Sequence, residues 1–401
     1  MKKYISFIAM LAAGLMFCSF SCQKEDPDNN GNGNENDNGN GTTETTGITL
    51  RADRDVIKCD GTDAATFSVI DSKGNIIKEG VTFFDSNYNE VTLENFKFST
   101  KEEGEYSFWA AYKTSNSGTV TIKAINADIP EAVADPNPSG SSFVRRVFLA
   151  QFTGTQCGYC PGMTNWLNIL RKDLGMKDKT VLAAVHSEMN SGDPAAISAP
   201  RSGAKPFNNS QGVPFLSVDM MMGTGYTNSD TELYFANEIK KAIEERMKDA
   251  PATVGISVNP KLEEGLLGGN DGIIARVQVK SSETAEYAVG AWLLEDNLLG
   301  IQSAYEKYVT LFPDYDYDMH SNCVRVADSK NGDHFAGHDL GQIQKGKTAE
   351  KTFLLTLKAK WKLENMHLVV FVCKKGSDGA YSINNVIDCP IDTPTPYEYS
   401  K

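Results

Sequence analysis

Three stretches follow one another with almost no connecting text: the apolar run "FVRRVFLAQF" from Phe143, the stretch "CGYCPGMTNWLNILRKDLG" from Cys157, and the apolar run "KTVLAAVHSE" from Lys179. The middle one has helical spacing, with Trp166, Leu167, Ile169 and Leu170 gathered on one side. Strand, helix, strand in this order predicts a βαβ unit whose two strands lie parallel, since a helical crossover joins parallel neighbours and a hairpin cannot. A loop-rich insertion follows, and then "QGVPFLSVDMMMGTG" leads into a further strand. A second helix is expected over "DTELYFANEIKKAIEERMKD", where Leu233, Phe235, Ile239, Ala242 and Ile243 recur at helical spacing.

The text on either side reads differently. From Gly47 to about Ile129, short β-prone runs such as "VTFFDSNYNE" and "GEYSFWAAYKTSNSGTVTIKAI" alternate with Gly and Asn turns, which predicts a small β-sandwich over 47–135. Trp109 is expected in its core and Cys59 as a half-buried thiol. "DIPEAVADPNPSGSS" marks a boundary. The α/β segment spans 143–250, and 251–401 returns to β runs ("TVGISVN", "GIIARVQVKS", "MHLVVFVCKK") expected to form an antiparallel sandwich. Within it, "LLGIQSAYEKYVTLFPDYDYDMHSNCVRVAD" is much longer than a hairpin loop and is expected to cover a sheet edge or form a surface. A chain of 401 residues is too long for one core, so a multidomain protein is the expected class.

Residues 1–21 carry Lys2 and Lys3, an apolar stretch and then small residues, the order of a cleaved export signal. Its end, "LMFCSFSCQKED", resembles a bacterial lipobox with Cys22 as lipid acceptor, and "QKED" resembles the surface-export signal of Bacteroidota lipoproteins. The following residues to 46 are almost all Asn, Gly, Thr and acid, so they cannot bury enough surface to fold and are expected to form a flexible tether. A lipid anchor would attach such a chain to an outer membrane without a spanning segment. The formal net charge of -13 argues against nucleic acid as partner.

Chemistry concentrates at Cys157 and Cys160. A zinc site would need two more ligands at short spacing, and none follows, so no metal is expected. A structural disulfide is possible in an oxidising compartment, but so short a loop closes little entropy. A redox couple is the preferred reading. A helix N-terminus favours thiolate at Cys157, and Cys160 lies one turn on to resolve a mixed disulfide. Pro161 costs little in the first helical turn; deeper, it would break the bond to the Cys157 carbonyl. His186 ends the second strand and is expected on a surface loop, with proton acceptance from a thiol as the alternative. Asp314, Asp316 and Asp318 alternate without the rest of a calcium loop and are expected to be solvated. "HSNC" sets His320 and Cys323 at a ligand-like spacing, but Cys373 and Cys389 lie far along the chain. No nucleotide loop or paired-carboxylate motif stands out, and no cofactor is expected.

Cys157, Gly158, Tyr159 and Cys160 after a strand, with Val213 and Pro214 entering a later one, resemble the thioredoxin fold. The resemblance implies a cis Pro214 beside the thiols and a peptide-binding face shaped by Phe152, Tyr159 and Val213. "TLRADRDVIKCDGTDAATFSVIDSKGN" followed by "GEYSFWAAY" resembles bacterial immunoglobulin-like surface modules, usually spacers. The order "FTGTQCGYCPGM", "GVPFLSVD", "GIQSAYEKY", "MHSNCVRVAD" resembles the outer-membrane-protein-28-related lipoproteins of Bacteroidota over roughly Val144 to Ile391, with Cys323 where a non-thiol residue is usual. Together these imply a lipid-anchored, surface-exposed outer-membrane protein. It would carry out thiol-disulfide exchange on exported or extracellular proteins; the alternative is a non-catalytic binding or adhesion protein that uses the fold as scaffold.

Overall fold

The computed structural model describes residues 47–186, 192–197, 212–225, 232–267, 269–310, 313–328 and 337–400. The export signal, Cys22 and the tether lie outside these residues, as does most of the insertion after His186.

The first module is two sheets closed over one core. In one, Ile48–Ala52 pairs antiparallel with Ala65–Asp71; in the other, Val120–Ile125, Gly104–Tyr112 and Val81–Asp85 lie side by side. Leu50, Ile57, Phe67, Phe83, Phe108 and Ile122 fill the space between them. Side chains alternate across a strand, so Phe108 and Ala110 point inward and Trp109 cannot. The expectation of a core Trp109 is corrected accordingly. The indole is half-buried on the outer face, stacked on Phe84 with ring centroids 4.3 Å apart. Cys59 is a half-buried free thiol.

Val56, Ile125 and Ala127 pack against Leu266 and Ile274 of the body, and Asp55 pairs with Lys351. The Pro-rich linker is held down as well: Lys280 Nζ donates to Asp135 Oδ2 at 2.8 Å and to the Pro138 carbonyl at 2.7 Å. Where the linker ends, Phe143 forms an antiparallel bridge with Tyr399, flanked by bonds of 3.0 Å from Val144 N to Glu398 O and from Ser400 N to Ser142 O.

Val147–Thr153 lies parallel to Thr180–His186 in register from Val147↔Thr180 to Thr153↔His186, joined by the Cys160–Asn168 helix. That helix runs on as a wider turn over Ile169–Asp173. Both strands are buried along their whole length, as apolar runs without alternation require. On one face Trp166 stacks on Phe235 of the Glu232–Asp249 helix at 4.1 Å, over Leu149, Met163, Leu170 and Ile239. Phe215–Val218 pairs antiparallel on the other side of Val147–Thr153. After it, buried Asp219 binds Arg145 and Arg246 and accepts from Phe148 N at 2.8 Å.

The sequence boundary near 250 does not coincide with a sheet boundary. Thr180–His186 pairs with Cys323–Asp328 through Ala184↔Cys323, and that strand pairs with Ala285–Glu295, then Met366–Lys375 and Tyr381–Pro390. The sheet curls until Phe148 meets Trp292 and Phe371, at 5.2 and 5.7 Å between ring centroids. A second antiparallel sheet, Val254–Leu267, Asn270–Ser281 and Thr348–Thr356, covers its other face. Alternation along Ala285–Glu295 serves both sides: Tyr287, Val289, Ala291 and Leu293 face the second sheet, while Ala288, Trp292 and Leu294 join the core that holds Phe148.

Candidate functional site: a covered disulfide

The Val147–Thr153 strand ends in a tight turn in which Cys157 N donates to Gly154 O and Cys160 N to Cys157 O, each at 3.1 Å. The helix begins at Cys160 with Pro161 in its first turn, where no intrahelical donor is lost. Cys157 and Cys160 form a disulfide, with Cα atoms 5.4 Å apart.

Only 5% of Cys157 and 1% of Cys160 is exposed, so solvent does not reach the sulfurs freely. Residues 300–308, from the long loop of the second half, lie across the turn. Ser303 N donates to Thr155 O at 2.7 Å and Tyr305 N to Gly158 O at 3.1 Å, which pairs this strap with the cysteine turn backbone to backbone. Gln302 Nε2 reaches the Cys157 carbonyl at 3.0 Å. The Tyr305 ring sits 4.7 Å from Tyr159 and close over Gly158, where a Cβ would come within 3.0 Å of it. Glycine there permits the approach. Asn165 Nδ2 donates to Tyr308 O at 2.9 Å and Tyr317 OH to Asn165 Oδ1 at 2.6 Å, anchoring the far end of the strap on the cysteine helix.

The Val213–Pro214 peptide bond is cis. Phe152 pairs with Phe215, and continuing that register sets Pro214 opposite Thr153, at the strand end that leads to Cys157. Of the residues assigned to a peptide-binding face, Tyr159 is 39% exposed and Val213 half-buried, but Phe152 is buried. Phe152 lies in the core with Ala150 and Val185 because it faces into the curled sheet, and so presents no open surface.

His186 is also buried rather than on a surface loop: Nδ1 stands 3.0 Å from Asp193 Oδ2, and Nε2 is 3.7 Å from Cys323 Sγ. Burial alone would raise the Asp193 carboxyl. The His186 contact and backbone N–H groups of Thr155 and Ala195 hold it well below the ordinary carboxylate range. Through Thr155 this cluster supports the cysteine turn. Burial pushes the Cys323 thiol up, so it stays protonated at neutral pH. Cys373 and Cys389 are not disulfide-bonded and occupy opposite faces of the central sheet, which rules out a bridge between them. Asp318 Oδ1 accepts from Gln302 N at 2.7 Å and so helps to shape the strap. No motif marks Asp193, and Gln302 stands in the quoted "GIQSAYEKY" without a role; its bond to the Cys157 carbonyl spans 145 residues.

A family model described as "Outer membrane protein Omp28" matches residues 219–393, downstream of the cysteine pair. No curated protein matches the chain. Among solved structures, HBP35 of Porphyromonas gingivalis is similar at 21% identity with a TM-score of 0.45, covering 65% of this chain and 80% of that one. A second, surface layer protein SbsC domains 4–9, is 10% identical at a TM-score of 0.15, covering 86% of this chain and 50% of that one.

Proposed function

We propose that this is an outer-membrane surface protein that carries out thiol-disulfide exchange on exported or extracellular proteins through Cys157 and Cys160. The observation that carries the reading is a disulfide at a strand-to-helix turn, with a cis Val213–Pro214 on the neighbouring strand. This is the arrangement expected of a thioredoxin-like domain. The Omp28 match supports the outer-membrane setting. In this reading Cys22 carries the lipid anchor and the first module, immunoglobulin-like in its two sheets, is a spacer.

In the oxidised form a substrate thiolate attacks Cys157 Sγ, and the S–S bond breaks with Cys160 leaving as thiolate. A second substrate thiolate then attacks the substrate sulfur of the mixed disulfide. Cys157 leaves, so the substrate is oxidised to a disulfide and the pair is reduced; the reverse sequence reduces a substrate disulfide. Either direction requires the strap to move.

The burial of both sulfurs favours a second reading, in which the α/β segment is a scaffold for surface binding and the disulfide is inert. The reduction potential and exchange with a dithiol peptide separate the two. Exchange lost in Cys157→Ser, with a trapped mixed disulfide in Cys160→Ser, is the expected result. A potential below about -300 mV with no exchange sinks the redox reading, since structural disulfides lie there.

A further inference from the structure

We propose that the cavity behind the cysteine turn binds a small anionic molecule carrying carboxylate or phosphate groups, held by Arg171, Lys172 and Lys177. The cavity measures about 330 Å³ and lies between the cysteine helix and the segment leading to Asn322. This is the lower end of small-ligand pocket sizes. Its described walls include those three cations and no carboxylate, in a chain whose formal net charge is -13. Lys172 and Lys177 are exposed at the rim, while Thr153 and His186 form the buried end.

Arg171 is the telling residue. It is half-buried, and its Nε is shielded from solvent without a hydrogen-bond partner. Asp296 and Asp388 are near enough to act on its charge, yet among the described residues no carboxylate comes within ion-pair distance. Both are engaged elsewhere, Asp388 with His367 Nδ1 at 2.6 Å and Asp296 with Asn322 N at 2.6 Å. A shielded guanidinium donor with no partner is costly, and the groups that satisfy its planar fork best are carboxylate and phosphate. Lys172 and Lys177 add charge at the rim. A cleft of this volume fits a small molecule rather than a macromolecular surface.

The test is isothermal titration of the full chain with citrate and, separately, inorganic phosphate, with uncharged glycerol as control. Saturable binding of at least one anion is expected, weakening as salt rises. Arg171→Gln should weaken it at least about tenfold, the loss of one charge-assisted pair. If Arg171→Gln does not fold, the rim double variant Lys172→Gln/Lys177→Gln must weaken binding by at least about threefold, as the loss of two exposed charges would. Citrate binding alone assigns a carboxylate ligand; phosphate binding alone assigns a phosphate. The proposal is overturned if neither anion binds at about 10 mM, where even millimolar affinity registers. It is equally overturned if glycerol binds as well as the anions, or if the variants bind as the parent does.

Discussion

His367 shows how single contacts set the pH behaviour of this fold. Its Nδ1 is 2.6 Å from Asp388 Oδ1 and its Nε2 is 3.6 Å from Asp296 Oδ1. Burial would lower its pKa, but the two carboxylates outweigh burial and push it up to about 9. The folded value therefore lies above the unfolded value near 6.5. The stabilisation is complete below about pH 6.5 and is lost as pH rises through 9. Urea denaturation at pH 6 and pH 9.5 should show a decline on the order of 3 kcal/mol. His367→Gln should flatten that decline, and an equal decline in the variant would place its origin elsewhere. Residue-scale legibility was uneven. The closeness of Cys157 and Cys160 was legible in their spacing, whereas the cis Val213–Pro214 bond was legible only through the resemblance to the thioredoxin fold. Trp109 and His186 were misplaced because burial depends on which neighbours a strand acquires.

The strap is the element that covers the disulfide. Two backbone bonds, from Ser303 N and Tyr305 N, together with the Tyr305 ring hold it over the turn. A net hydrogen bond contributes about 1 kcal/mol, so removing one should raise the open population roughly five- to tenfold. Ser303→Pro deletes a donor and Tyr305→Ala deletes the ring. In each, the alkylation rate of Cys157 in the reduced protein should rise by about that factor, with an unchanged circular dichroism spectrum. Unaltered alkylation in both variants would show that the strap is not the barrier. The length of this loop marks it as more than a hairpin and as cover for a sheet edge or a surface in its own right. It gives no address, because the pairing of Ser303 with Thr155 spans the rest of the βαβ unit and two of the three strands of the second sheet.

At the scale of the whole molecule, continuity of the central sheet changes what counts as a unit. A fragment of residues 143–250 would leave the Thr180–His186 strand without its Cys323–Asp328 neighbour and uncover Phe148, Phe152 and Val181. It should fail to give a dispersed amide NMR spectrum or a cooperative melt, whereas the chain from residue 47 should give both; a cooperatively folding fragment would refute this dependence. The βαβ unit and the β runs were each legible from periodicity. Their fusion was not, since the strands meet at Ala184↔Cys323 between segments with no shared pattern, and the core around Phe148 that seals the join is likewise built from distant parts of the chain. The bridge between Phe143 and Tyr399 has a mechanical meaning. Beyond the Lys280 contacts with Asp135 and Pro138, a pull arriving through the linker meets residues 398–400, with hydrogen bonds on both sides of the bridge and the Arg146–Glu398 ion pair beside it. Load would be borne at that clasp before any of it reached the strand that carries the cysteine turn.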